Sequence, residues 1–169
     1  MPSAYIGIGS NLGDRLGNCR KALELLNRRG VRVTAVSSPY ETKPWGADRP
    51  EAGHPEKVAD QPDFINMAAR VETGMKDPLA LLEALLDVER QMGRVRREKW
   101  GPRIIDLDIL LFGDKIIDVP GGRLKVPHPL MHLREFVLRP LAGIAPGAMH
   151  PVLKKTVSQL LAALEKPPK

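Results

Sequence analysis

Asp106 and Asp108 sit two residues apart in a mostly apolar run, Ile105 to Phe112, whose alternation reads as a β-strand. On a strand, residues i and i+2 leave the same face, so the two carboxylates should stand side by side while Leu107 and Ile109 enter the core. Like charges at that spacing repel. A hard divalent cation such as Mg2+, satisfied by one or two protein carboxylates plus substrate phosphates and water, would relieve the repulsion. The competing reading is a solvated polar face, although Asp is a poor strand former. Immediately upstream, Arg90, Arg94, Arg96, Arg97, Lys99 and Arg103 place six basic residues within fourteen positions. Arg recognises phosphate oxygens through a planar, bidentate fork, and phosphoryl transfer asks for little beyond positioning and charge neutralisation by metal and Arg. The plainer alternative is a solvated basic helix end, but the carboxylate pair beside it turns the reading toward phosphoryl chemistry.

Other residues offer weaker signals. Phe64 and Asn66 share one face of a second strand and combine a flat apolar surface with an amide that donates and accepts, which suits a heterocycle; a core Phe is the equal alternative. His128, near the basic run, could donate a hydrogen bond to phosphate. His128 and His132 have the spacing of helical zinc ligands, but no third ligand accompanies them and prolines bracket His128. Gly7, Gly9 and Gly13 superficially fit a dinucleotide-binding loop, yet the acidic residue expected at the end of the next strand is missing. These glycines are read as a tight strand-to-helix turn. No phosphate-binding GxxxxGK[ST] run occurs. Cys19 reads as a small buried hydrophobe.

The elements that must hold these groups follow from periodicity. Tyr5, Ile6 and Ile8 form a short strand; a helix with Leu16, Ala22, Leu23 and Leu26 on one face ends at Arg28, Arg29 and Gly30; Val31 to Val36 alternates as a strand. Residues 37–63 are polar and proline-broken and read mostly as one long loop. Ile65 to Val71 is a strand, Asp77 and Pro78 open a helix that stops at Gly93, and Ile105 to Phe112 is the fourth strand. Short strands near Ile117 and Val126, a helical turn from Met131 to Leu138 and a last helix from Thr156 to Leu164 complete the chain. The order strand, helix, strand, strand, helix, strand matches the split βαβ unit, so the expected fold is α+β: a ferredoxin-like sandwich with helices on a mainly antiparallel sheet.

Composition narrows the partners. With 169 residues, one domain spanning residues 1–169 is expected, with 166–169 as a tail. A lone cysteine, the absence of a secretory signal and of any run near the roughly 20 apolar residues of a membrane span point to the cytoplasm and away from membranes. The charge of +6 permits any polyanion, but aromatics make up only 4%, which argues against base stacking by a nucleic-acid module. A nucleic-acid-binding module on the same framework and a nicotinamide oxidoreductase using the glycine run are the competing functions; neither has its full set of residues. A monomer is expected.

The run Lys99-Trp100-Gly101-Pro102-Arg103-Ile104-Ile105-Asp106-Leu107-Asp108-Ile109-Leu110 resembles the signature of the 6-hydroxymethyl-7,8-dihydropterin pyrophosphokinase family of the folate pathway. YIGIGSNLGDR at the start, SSPYETKPWG at 37–46, PDFIN at 62–66, ERQMGRVR at 89–96 and VPHPLMHLREFVLRPL at 126–141 follow in the family's order. The resemblance implies transfer of diphosphate from ATP to the pterin hydroxymethyl oxygen with release of AMP. It implies that Asp106 and Asp108 bind two Mg2+ ions and that Arg94 and Arg103 steady the transferring group. Glu89, Arg96, Trp100, Arg123, His128 and Arg134 would contact ATP. Phe64 and Phe136 would sandwich the pterin, with Thr42, Lys43, Pro44, Trp45 and Asn66 around its edge. Residues 46–61 are longer than in compact members and read as a loop insertion, and Leu86 and Lys125 depart from the residue types found in some members.

Overall fold

Alternate apolar residues make β1 (Ser3–Ser10) the centre of an antiparallel sheet, flanked by β4 (Phe64–Thr73) and β5 (Asp106–Phe112). β2 (Val31–Val36) pairs with the far side of β4, giving the strand order β2-β4-β1-β5. Helices α1 (Arg15–Arg28) and α2 (Pro78–Gln91) connect these strands in the ferredoxin-like arrangement. The computed structural model describes residues 3–43, 62–94 and 103–165. Pro44, Trp45, the 46–61 insertion, Arg96, Arg97, Lys99, Trp100 and the 166–169 tail lie outside the described residues.

Local chemistry sets the helix limits. The Asp14 side chain accepts from Gly17 N at 3.1 Å and caps α1, after Gly13 turns the chain at φ 67°. Asp77 accepts from Leu79 N at 2.9 Å with Pro78 in the first helical position, and Gly93 ends the α2 segment at φ 85°. Both helices bury their apolar faces against one side of the sheet, where Leu26, Leu81, Leu85 and Val88 meet Ile6, Ala69, Val71 and Ile109. Cys19 belongs to this core, and burial pushes its thiol up to about 11, far from a nucleophile's range.

The opposite face carries a further layer. α3 (Glu135–Ile144) and α4 (Val157–Glu165) cover Ala68, Leu110 and Leu111 with Leu138, Leu141, Val157 and Leu160. The helical turn expected over Met131 to Leu138 is a 3-10 turn at Met131–Leu133 followed by α3, which runs on through Pro140. A proline reads as a breaker in sequence; here the packed apolar face outweighs the hydrogen bond it removes. Within the segment read as a loop, Tyr40–Thr42 forms a short strand, β3, that extends the β2 edge by pairing Tyr40 with Asn66 and Thr42 with Phe64. Three residues are too few to show a period. The hairpin of β8 (Met149–His150) and β9 (Lys155–Thr156) escapes a reading from sequence for the same reason, whereas β6 (Ile117–Asp118) and β7 (Lys125–Val126) pair as expected. Among the described residues no helix is long and apolar enough to cross a membrane.

Strict alternation along β5 fails at one point. Tyr5 pairs with Leu111 but Ile6 pairs with Ile109, so Leu110 is an extra residue, a bulge. Beyond it the faces exchange: Leu111 joins the α3 and α4 core, while Phe112 enters the α1 and α2 core, against the expectation that Phe112 shares the aspartates' face. The bulge lets one strand present two carboxylates to one side and a fully buried aromatic to the other. Phe112→Ala should therefore cost about 3 to 5 kcal/mol of stability, read as a lower urea midpoint; a loss below 1 kcal/mol would remove Phe112 from the core.

Candidate active site

The sheet positions are set by cross-strand register. Gly9 lies directly between Asn66 on β4 and Asp106 on β5, and Gly7 between Ala68 and Asp108. These four neighbours share the face covered further along by α3. The run Gly7-Ile8-Gly9 is thus not a strand-to-helix turn: both glycines lie inside β1, and of the three only Gly13 turns the chain. A Cβ on Gly9 would fall 3.2 Å from Asn66 Oδ1 and 3.5 Å from the Phe64 ring. The bare backbone forms a floor with Phe64 and Asn66 on one side and Asp106 on the other. Two glycines at i and i+2 in an otherwise apolar strand were the available signal.

Asp106 is held from both sides. Its Oδ1 accepts from Arg94 Nη1 at 3.0 Å and its Oδ2 from Arg103 Nη1 at 2.8 Å. Arg94 Nη1 also donates to Glu89 Oε2 at 2.5 Å, and that oxygen accepts from Leu107 N at 2.9 Å. Glu89 is only 2% exposed. Asp108 is different: burial, and then the neighbouring charge of Asp106, push its carboxyl up to about 7, against the opposing pull of Arg134 and Arg103. Two adjacent carboxylates, one disfavoured as an anion, fit a site that gains by taking a hard cation. Among the described residues no three His, Cys, Asp or Glu side chains gather around one point.

His128 lies on the segment that crosses the bulge, its backbone N–H donating to Leu110 O at 3.0 Å. Its Nδ1 accepts from Leu130 N at 3.2 Å, which leaves Nε2 as the protonated nitrogen of a neutral ring. Burial and the Arg134 guanidinium hold its pKa down to about 4. A neutral Nε2–H is a hydrogen-bond donor to phosphate that does not titrate near neutrality. Arg134 precedes α3, its guanidinium 5.6 Å from the centre of the Phe136 ring. His132 does not share a helix with His128; it meets His150 edge-on, with ring centres 6.2 Å apart.

Across the floor, Asn66 Nδ2 donates to Thr42 Oγ1 at 2.8 Å, so the amide is oriented by β3. Lys43 is exposed at the end of that strand, and Phe64, partly buried, is paired opposite Thr42. α3, which carries Phe136, packs over β3 and β4. Arg123 is engaged elsewhere, donating from the surface to Glu83 of α2. Pro44, Trp45, Arg96 and Trp100 lie outside the described residues.

Asn11, which the motif reading passes over, ties the site's approaches to β1. Its N–H donates to Arg103 O at 3.0 Å, its Oδ1 accepts from Arg103 N at 2.7 Å, and its Nδ2 donates to Pro62 O at 3.2 Å. Arg15 donates to Asp63 O at 2.8 Å beside it. A buried asparagine shows no period, and only its placement after a strand of small residues hints at such a role.

The Asp108 carboxyl favours folding when protonated. Its contribution is full below the ordinary value near 3.8 and is lost as pH rises through about 7. Asp108→Asn should therefore raise the metal-free protein's stability at pH 8, on the order of 4 kcal/mol, and add little near pH 4. Thermal melts at the two pH values check this; equal gains at both would show that the charge is not the cause.

With this geometry in place, comparison with known proteins gives a consistent result. The family model for 7,8-dihydro-6-hydroxymethylpterin-pyrophosphokinase matches residues 5–146. The 2-amino-4-hydroxy-6-hydroxymethyldihydropteridine pyrophosphokinase of Bacillus subtilis is 46% identical over 142 residues, spanning 83% of this chain and 77% of that protein. Its counterpart in Pseudomonas aeruginosa is 43% identical over 160 residues, spanning 94% of this chain and 90% of that protein. The wild-type Plasmodium falciparum HPPK-DHPS, crystallised with pteroate, shares the fold at a TM-score of 0.72 and 18% identity, over 96% of this chain and 42% of that one. The chain belongs to the 7,8-dihydro-6-hydroxymethylpterin-pyrophosphokinase family and is an ATP-dependent diphosphotransferase of folate biosynthesis.

Proposed function

We infer that the family reaction is carried here by Asp106 and Asp108 as ligands of two Mg2+ ions, with Arg94 and Arg103 neutralising phosphate. The observation that carries this reading is the Asp106–Asp108 pair set against a glycine floor, with two guanidinium groups on Asp106. The pterin hydroxymethyl oxygen forms a bond to the β-phosphorus of ATP. The bond between that phosphorus and the oxygen retained by the α-phosphate breaks, the hydroxyl proton is lost, and AMP leaves. When bound, Mg2+ supplies charge neutralisation along the polyphosphate and polarises the reacting oxygens.

The chain's own groups do the positioning. Arg94 and Arg103 balance Asp106 until phosphate oxygens offer a better partner, so cationic charge is already assembled where anionic charge will arrive. His128 offers a neutral N–H, and Arg134 adds a fixed positive charge beside Asp108. Phe64 and Phe136 supply flat apolar surface for the pterin, while Asn66, oriented by Thr42, reads its amide edge, with Lys43, Pro44 and Trp45 alongside. Arg96, Trp100 and Arg123 complete the proposed nucleotide-side set, and the protein acts as a monomer.

AMP formation from ATP and Mg2+, with and without 6-hydroxymethyl-7,8-dihydropterin, tests the reading. Wild type should release AMP only with the pterin. Asp106→Ala should lose roughly 3 to 4 kcal/mol of barrier lowering, a rate fall of several hundred-fold, while remaining folded. Turnover within a few-fold of wild type would take Asp106 out of the mechanism, and release of ADP would replace diphosphate transfer by ordinary single-phosphoryl transfer.

A further inference from the structure

The first carboxylate behind the site is Glu89, near the end of α2, and it contacts the aspartates' strand from behind. Among the described residues β5 lies at an edge of the sheet, and none of their strands accepts the Leu107 N–H, which is directed away from β1. Glu89 Oε2 takes that place at 2.9 Å. An unpaired edge donor in a buried setting is costly, and Leu107 is the residue between Asp106 and Asp108. Fixing its amide fixes the backbone from which both aspartates project.

The same Glu89 oxygen accepts from Arg94 Nη1 at 2.5 Å, and that nitrogen also reaches Asp106 Oδ1 at 3.0 Å. The side chains of Glu89 and Arg94 are 3% and 8% exposed, against 23% for Asp106. One nearly buried cation is thus shared between an inner carboxylate and an outer one. Glu89, with so little surface, is badly placed to touch a nucleotide, the role the family resemblance implies for it.

We propose that Glu89 is a positioning residue that balances the charge of Arg94 and holds the Leu107 amide, and thereby keeps Asp106 available to a divalent cation. The proposal rests on the metal-binding reading of Asp106 and Asp108. With Glu89 neutral, the full charge of Arg94 falls on Asp106 and competes with the metal. Glu89→Gln separates the two tasks, because the amide oxygen still accepts from Leu107 N but carries no charge.

Mn2+ binding to the full-length, nucleotide-free protein, followed by loss of the free-ion electron paramagnetic resonance signal, reads this without turnover. Glu89→Gln should weaken binding roughly tenfold. The double variant Glu89→Gln/Arg94→Gln, which removes both charges, should return to within about twofold of wild type, as a coupled pair requires. A merely structural role would lower the melting temperature and leave the affinity of the folded protein unchanged. Unchanged Mn2+ affinity in Glu89→Gln, alongside a raised KM for ATP, overturns the proposal in favour of a nucleotide contact. If Glu89→Gln alone does not fold, the double variant decides, and weakened binding there overturns the proposal too. Asp106→Ala serves as the reference: if it binds Mn2+ like wild type, the metal reading itself fails, whereas loss of binding in Asp106→Ala with none in Glu89→Gln defeats only the role of Glu89.

Discussion

Two like charges held side by side on one partly buried face of the sheet must be balanced, and much of this molecule is organised around that requirement. Asp106 is answered by Arg94 and Arg103, Arg94 in turn by Glu89, and Asp108, with the weakest compensation, holds its proton to about pH 7. The arrangement is costly to the resting fold, and it leaves at one spot what a metal–polyphosphate complex needs: carboxylates for the cation and guanidinium groups for the phosphates. Stability and chemistry are set against each other at Asp108, as expected of a functional group in an otherwise well-packed sheet.

The sheet resolves the conflict by giving its two faces different work. The face toward α1 and α2 is a continuous apolar core containing Ile6, Val71, Leu85 and Phe112. The other is apolar only beneath α3 and α4; toward the ends of β1, β4 and β5 it becomes Gly7, Gly9, Asn66, Asp106 and Asp108. The bulge at Leu110 marks the change along β5. Without it Phe112 would face away from the core it fills, so a local irregularity lets one strand serve both functions.

The elements with a clear period were legible from the sequence: α1 and α2 with their caps, the four main strands, and the side-by-side placement of the two aspartates. What stayed hidden had physical reasons. β3, β8 and β9 are too short to carry a period, Pro140 masks the length of α3, and the bulge defeats alternation beyond Ile109. Within the site, Asp106, Arg94 and Arg103 could be named because charge clusters in sequence. Gly7 and Gly9 read as a turn in sequence, since a glycine's use depends on what stands across the sheet, Asn66 on one side and Asp106 on the other. Glu89 could be picked out only by family resemblance, and its burial behind Leu107 is a tertiary fact.

The ties from Asn11 and Arg15 show how distant segments are made to converge. Asn11 bonds the backbone of Arg103 twice and that of Pro62 once, and Arg15 bonds the backbone of Asp63. Residues 62–63 lead into Phe64 and Asn66, the proposed pterin side, and Arg103 carries a guanidinium of the proposed phosphate side. Side-chain bonds to backbone fix a chain's path whatever residues flank it, which is what two neighbouring segments of very different composition require. The first turn after β1 therefore sets the spacing between the two halves of the site, and a substrate bridging them meets groups already held at a common origin.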